Sequence, residues 1–454
     1  MKNMSLCQVA RACNGQLFPE SYEDLKEVTG VVIDSRQILQ DHLFIATVGE
    51  RVDGHDFIPS AYEKGAIAVV CETAPIDPKG PYILVKSSFQ ALKDIAVWYR
   101  SQLQLKVVGI TGSVGKTSTK EFISSVLAQK YRILKTEGNY NNEVGLPLTL
   151  LKIRDYHEIA VLEMGISDFG EMHRLSEIAK PDICVITNIG QCHLENLGSR
   201  EGILKAKTEI FDFMADDGFV CLNGDDDLLA TITEVKGRKP LLFGLTISND
   251  IYATDIISHG LFGSTCTIHS QNLFFEAQIP QPGEHMVLNA LAATSVGTLL
   301  QLTTQEIATG IEAVQSLGGR SNIIRQDKLT IIDDCYNANP VSMKAALDLL
   351  AKADTRKIAI LGDMFELGEG ENALHAQIGA YAATTNIDVL VCVGKLSYHM
   401  NLSAAQCFKG ELLYYETRDE LIEALPNIIV LHDTVLVKAS HGMGFDQVVK
   451  ALIN

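Results

Sequence analysis

No stretch of this 454-residue chain is apolar for long enough to cross a bilayer, and no low-complexity tract interrupts it. A helical membrane span is excluded. C-x-x-C pairs are also missing: the ten cysteines, at 7, 13, 71, 184, 192, 221, 266, 335, 392 and 407, follow no metal-ligand rhythm. They read as small buried apolar residues in a reducing compartment, not as disulfides. Positive charge is in deficit, with 38 Lys and Arg against 56 Asp and Glu and a net charge of −18, and no basic cluster stands out. That argues against nucleic-acid binding, so an anionic ligand has to meet local positive groups. Met1 to Ala10 lacks the apolar centre of a signal peptide, which sets the expectation of a cytoplasmic chain with no stable membrane insertion.

What is present is a soluble globular composition, 46% hydrophobic and 21% charged, in a chain too long for one core. The pattern predicts an α/β protein of three domains, 1–86, 87–316 and 317–454. The first offers a short helix ending near Gly15 and strands at Val31–Ile33, Leu43–Ala46 and Ala68–Val70. A helix over Ser87 to Gln104 leads into a central parallel sheet with strands at Lys106–Thr111, Glu158–Glu163, Asp182–Asn188 and Gly218–Leu222. Added antiparallel strands are expected over 241–281, followed by a helix from Gly283 to Leu300. The last domain alternates again, in Rossmann-like fashion, through Leu329–Asp333, Lys357–Leu361, Val389–Val393 and Thr434–Val437. No G-x-G-x-x-G accompanies it, so a dinucleotide reading has no support.

The strongest motif is Val107-Val108-Gly109-Ile110-Thr111-Gly112-Ser113-Val114-Gly115-Lys116-Thr117-Ser118, an apolar strand running through a glycine loop into a helix. It reads as a phosphate cradle. Backbone N–H groups from Gly112 to Ser118 can close on an anion, Lys116 supplies a point charge, and Thr117 can ligate Mg²⁺ at the helix N-terminus. The common pattern wants Gly where this chain has Ile110. A plain strand-to-helix turn is the competing reading, but the helical spacing through Glu121 to Leu127 supplies the context the motif requires.

Other strand ends carry polar residues where ligands of parallel sheets gather. Glu163 closes a buried strand, where a carboxylate is costly without a cation. Asn141 and Asn142 sit in a polar cluster that a surface turn explains equally well. His193 lies beyond a strand end and fits an ordinary core or loop histidine as readily as a ligand. Lys205 and Lys207 point to different faces of one helical segment, and solvated helix lysines are the commoner case.

Taken in order, these segments resemble the Mur ligase family, ATP-dependent amide-bond formers of cell-wall precursor synthesis. The resemblance runs through Asp34-Ser35-Arg36, Asp53-Gly54-His55, the loop with its Ile110, Asn141-Asn142-Glu143, Glu163-Met164-Gly165, Thr187-Asn188, Ala206-Lys207, Gly283-Glu284-His285, Gly319-Arg320, Asp334 to Pro340 and Gly362 to Gly368. Tyr336 to Pro340 resembles the branch that adds D-alanyl-D-alanine to a UDP-N-acetylmuramoyl-tripeptide. This implies ATP and two Mg²⁺ ions as cofactors, with Lys116, Glu163, His193 and Lys207 catalytic, metal held by Thr117, Glu163, His193 and a carbamylated Lys207, and a monomer acting through an acyl phosphate. By the same resemblance Asn289, Arg320 and Asp334 meet the nucleotide. Ser35 and Arg36 meet the uridine moiety bound by domain 1–86, and Asn141, Asn142, Tyr336, Asn337 and Asn339 meet substrate. Two positions depart: Met286 stands where the family carries Asn, and His441 where it often carries Arg. The alternatives are another Mur-type or a folylpolyglutamate-type ligase, and a nucleotide switch, against which the absence of N-K-x-D speaks.

Overall fold

The structure, a computed structural model, describes residues 1, 4–19, 26–49, 52–270, 273–315, 318–319 and 322–453. Its strands form three sheets. The amino-terminal sheet contains β1 (Gln16–Phe18), β2 (Gly30–Val32), β3 (His42–Ile45), β4 (Ala68–Cys71) and β5 (Tyr82–Leu84), in the order β1-β5-β4-β3-β2. The central sheet contains β6 (Lys106–Thr111), β7 (Ile133–Lys135), β8 (Ile159–Glu163), β9 (Ile183–Ile186), β10 (Phe219–Asn223), β11 (Leu241–Gly244), β12 (Ile251–Ser258), β13 (Ser264–Ser270) and β14 (Leu273–Ile279). Its order is β14-β13-β12-β11-β10-β9-β6-β8-β7. The carboxy-terminal sheet contains β15 (Asn322–Arg325), β16 (Leu329–Asp333), β17 (Lys357–Gly362), β18 (Val389–Val393), β19 (Glu411–Tyr415) and β20 (Asp433–Lys438), in the order β15-β16-β20-β17-β18-β19.

Alternation along the central strands decides which face each side chain joins. Val107, Ala160, Leu162, Cys184 and Ile186 pack on one side of the sheet. Val108, Ile110, Ile159, Val161, Ile183 and Val185 pack on the other, against helices Lys116–Leu127 and Glu284–Leu299. Each fully buried aliphatic side chain contributes about 1.5–3 kcal/mol. β6 lies between β8 and β9, with Ile110 opposite Glu163 and Thr111 opposite Ile186. The chemistry-bearing strand ends therefore emerge together at one edge.

Helix Ser88–Ser101 joins the amino-terminal core to the central one: Leu92, Ile95 and Tyr99 share a single apolar cluster with Leu6, Val70, Leu146 and Leu162. The Tyr99 hydroxyl adds a hydrogen bond to the Ile153 carbonyl at 2.7 Å. The carboxy-terminal unit keeps separate cores on the two faces of its own sheet.

Of the strands expected over 241–281, β13 and β14 run antiparallel, whereas β11 pairs parallel with β10 and β12 parallel with β11. The 245–250 loop steps the chain sideways without reversing it, and Asp225 holds that loop by accepting from Asn249 Nδ2 at 2.9 Å. Strands β1, β5, β7, β15 and β19 were not read from the sequence. All lie at a sheet edge or next to one and are three to five residues long. Among the described residues, no helix is long and apolar enough to cross a membrane.

Candidate active site

The glycine loop is held from beneath by the segment that follows β9. Gly112 has φ +148°, and a Cβ there would stand 1.9 Å from Thr187 Oγ1, so only glycine lets the loop approach. Gly115, at φ +83°, caps helix Lys116–Leu127 in a left-handed conformation. Asn188 clamps Val114 from both sides, accepting from its N–H at 2.9 Å and donating to its carbonyl at 3.0 Å. Gly190 N–H donates to Ser113 Oγ at 2.8 Å. Lys116 arcs back to donate to the Gly112 carbonyl at 2.7 Å. These contacts fix the loop's backbone next to a positively polarised helix end, the arrangement that receives phosphate.

Glu163 is 1% exposed. Its Oε2 accepts from Thr117 Oγ1 at 2.8 Å and its Oε1 from Asn141 Nδ2 at 2.9 Å. The buried Lys120 ammonium stands 4.0 Å from Glu163 and 3.1 Å from Glu121, and donates to the Thr136 carbonyl at 2.7 Å. Lys120 was missed in the sequence, although it lies one helical turn after Lys116 on the same face.

Lys207 is wholly buried, and its Nζ has no hydrogen-bond partner among the described residues. Burial, followed by the charge of Lys116, pushes its pKa down to about 8. Lys205 is the solvated lysine of the pair, resting over the Phe169 ring. The two residues thus divide the alternatives that the sequence left open. His193, with φ +50°, begins the helical turn Leu194–Leu197 and places Nδ1 3.0 Å from Glu366 Oε2 in the carboxy-terminal unit. Burial depresses the imidazole pKa; Glu366 opposes that, and the Lys116 and Lys207 charges add to it.

A cavity of about 980 Å³ unites Ser113 to Lys116, Asn141, Asn142, Glu163, His193 and Asn289 on one side with Asp334, Tyr336, Asn337 and Asn339 on the other. On the far wall Lys438 donates to Asp334 Oδ2 at 2.6 Å and to the Asn337 carbonyl at 3.0 Å. This buried lysine ties down the loop carrying Tyr336, whose ring lies 5.5 Å from His441. Asn339 caps helix Pro340–Ala351, accepting from Ser342 N at 2.9 Å, and Asn142 accepts from Gly145 N at 2.9 Å. Both side chains therefore have structural work at the cavity wall. Asn289 accepts from Thr119 Oγ1 at 2.8 Å and turns its amide to Met286 Sδ at 3.3 Å. The departure at 286 thus supplies a thioether acceptor to its neighbour. Arg320 lies outside the described residues. Ser35 and Arg36 do not line the cavity; Arg36 pairs with Asp34 at 2.8 Å on the amino-terminal unit.

Three family descriptions match in succession: "Mur ligase family, catalytic domain" over residues 27–107, "Mur ligase middle domain" over 110–297 and "Mur ligase, glutamate ligase domain" over 319–441. The chain belongs to the Mur ligase family. This Mur ligase is 39% identical to the UDP-N-acetylmuramoyl-tripeptide–D-alanyl-D-alanine ligase of Bacillus subtilis, over 98% of this chain and 97% of the relative. The crystal structure of MurF from Acinetobacter baumannii superposes with a TM-score of 0.91 at 31% identity, covering 99% and 98% of the two chains. MurF from Thermotoga maritima in complex with ADP gives a TM-score of 0.82 at 29% identity, covering 93% and 97%. The shared three-sheet architecture agrees with the expected α/β class.

Proposed function

We propose that this Mur ligase joins D-alanyl-D-alanine to UDP-N-acetylmuramoyl-tripeptide at the expense of ATP, releasing ADP and phosphate. The names of the relatives support the substrates, and the ADP complex of the Thermotoga maritima protein supports the nucleotide. Within this chain the carrying observation is Lys207: a buried amine without a partner, in the electrostatic field of the phosphate-loop lysine. A lysine kept there at such cost has a chemical use.

A free carboxylate acylates poorly, so amide formation calls for activation. Lys116 and the N–H groups of the loop would steady the γ-phosphoryl group as it passes to the tripeptide carboxylate, giving an acyl phosphate. The amine of D-alanyl-D-alanine then attacks the acyl carbon, the C–N bond forms, the amine loses its proton and phosphate leaves. Tyr336, Asn337 and Asn339, on the opposite wall, are the residues we assign to holding that amine. The surrounding units exclude water, which would otherwise hydrolyse the acyl phosphate.

The residues fit a divalent cation: the Thr117 hydroxyl and the Glu163 carboxylate already converge on the helix N-terminus. Bound Mg²⁺ supplies countercharge to the phosphates. Among the described residues no three His, Cys, Asp or Glu side chains form a metal cage, so affinity has to come with phosphate oxygens and further ligands. Lys207 fits that need as a carbamate: its neutral Nζ adds to CO₂, forming an N–C bond and releasing one proton, and so gains anionic oxygens. We assign a second cation to His193. The reading includes an amino-terminal unit, 1–86, for the uridine nucleotide, a central unit, 87–316, for ATP and a carboxy-terminal unit, 317–454, for the dipeptide. It also includes a cytoplasmic monomer.

The test is ADP and phosphate release measured with UDP-linked tripeptides carrying either diaminopimelate or lysine, with and without D-alanyl-D-alanine. Release should require both the tripeptide and the dipeptide. Rapid ATP hydrolysis with neither present, or turnover with a folate–glutamate pair instead, overturns the assignment.

A further inference from the structure

His193 forms part of the wall between two cavities. It lines the 980 Å³ cavity with the phosphate loop, whereas Glu366 lines a second, of about 920 Å³, bounded by Gln191, Glu195 and the Gly368–Glu371 turn. The Nδ1 to Oε2 contact of 3.0 Å is thus made across the boundary between the central and carboxy-terminal units. Both residues occupy the left-handed region, His193 at φ +50° and Glu366 at φ +61°, which residues with a Cβ adopt sparingly.

The carboxylate is largely exposed, but its loop is firmly anchored. Just before it, Asp363 Oδ1 accepts from Ser397 N and Oγ, both at 2.7 Å. Met364 N–H donates to His375 Nε2 at 2.9 Å, and Phe365 N–H to Ser440 Oγ at 2.9 Å. Just after it, Leu367 is buried, and Gly368 sits against the backbone of Glu195, two residues beyond His193. The turn that offers Glu366 and the turn that offers His193 are therefore packed against each other. With Nδ1–H donating to Glu366, the Nε2 lone pair of His193 is left for the larger cavity. A carboxylate behind a ligating histidine fixes its tautomer and ring orientation.

We propose that Glu366 is a positioning residue: it orients His193 as a cation ligand only while the carboxy-terminal unit is docked, so that cation affinity and docking are coupled. By linkage the cation must then favour the docked arrangement to the same extent. The inference rests on the assignment of His193 to a cation made above.

The probe is Mn²⁺, titrated into the full-length protein in the presence of ADP and followed by the electron paramagnetic resonance of free Mn²⁺. Glu366→Ala should weaken Mn²⁺ binding about 10-fold while leaving metal-free ADP binding unchanged. Glu366→Gln retains an acceptor oxygen and should lose less. In a His193→Ala background, Glu366→Ala should add nothing. Small-angle scattering of Glu366→Ala with Mn²⁺ and ADP should show a more extended particle than the parent. If His193→Ala weakens Mn²⁺ binding and Glu366→Ala does not, the positioning role is overturned and the ligase assignment stands. If neither weakens it, the cation assignment of His193 falls as well. Should Glu366→Ala fail to fold, Glu366→Gly, which suits the φ of +61° and also removes the acceptor, carries the same comparison, and parent-like Mn²⁺ affinity together with parent-like scattering overturns the proposal.

Discussion

Lys207 can be tested through stability as well as through catalysis. A lysine whose pKa falls from its ordinary 10.5 to about 8 on folding costs the folded state about 3 kcal/mol wherever both states hold the proton. Lys207→Met keeps the length of the side chain and removes the charge, so below pH 8 it should stabilise the unit that contains it by an amount approaching that figure. The pH dependence fixes the sign. Between pH 8 and 10.5 the unfolded chain still binds the proton that the folded chain has released, so parent stability rises with pH and the advantage of the variant shrinks. Denaturant unfolding in CO₂-free buffer, at pH 7 and again near pH 10, reads both effects. Ligation should fail in the same variant while ADP still binds. The depressed pKa leaves about a quarter of Lys207 as free amine near pH 7.5, against about one in a thousand for an ordinary lysine, which is what carbamylation by CO₂ requires. In ¹³C-bicarbonate the parent should show a carbamate resonance that Lys207→Met lacks. Equal stability at pH 7, a gap constant with pH, or full ligation by the variant would each refute the reasoning.

Three further substitutions probe the surroundings. Gly112→Ala forces a Cβ against Thr187 Oγ1 in a strained conformation, and a penalty of about 1–3 kcal/mol on the loop should lower ADP affinity by roughly 10- to 100-fold in calorimetry. Lys120→Met leaves the buried Glu163 carboxylate without its cation, whereas the half-buried Glu121 keeps Lys135, and should destabilise the protein by about 3–5 kcal/mol in denaturant unfolding. Asn289→Ala leaves the Thr119 hydroxyl unpaired in the interior, at a cost of about 1–3 kcal/mol measurable as a lower unfolding midpoint.

The interior strands of the central and carboxy-terminal sheets were legible because burial on both faces leaves continuous apolar runs that end in polar residues: β6 and β16 were read to the residue. Edge strands such as β7 and β19 were not, since their half-exposed positions carry no clean alternation. The phosphate loop could be read from local geometry alone, because its glycines, lysine and threonine are contiguous. Glu163 was legible in part, as a carboxylate at a buried strand end. Lys207 was not, because two lysines in one helical stretch look alike until packing decides which face meets the core. Lys438, Asn188 and Glu366 acquire their partners only through tertiary contacts with residues 74 or more positions away, and no spacing rule reaches that far.

The distribution of apolar contacts divides the site into a fused half and a more loosely held one. The amino-terminal and central units share one apolar cluster through helix Ser88–Ser101, and separating them would expose Leu92, Ile95 and Tyr99 to water. The carboxy-terminal unit has its own cores, and of the central unit only Leu261 is found packed against them among the described residues. His193 pairs with Glu366, and the Arg325 guanidinium lies 3.9 Å over the Phe262 ring while donating to the Leu261 carbonyl at 3.3 Å. Contacts of this exposed kind contribute about 1 kcal/mol or less each, so undocking costs little compared with unfolding either side. In the proposed reaction, the phosphate donor and the carboxylate acceptor then belong to the fused half, and the amine to the half that can leave. A division of this kind suits the chemistry: the two anions are brought together on a rigid frame, and the wall that returns carries the nucleophile and excludes the water that competes with it.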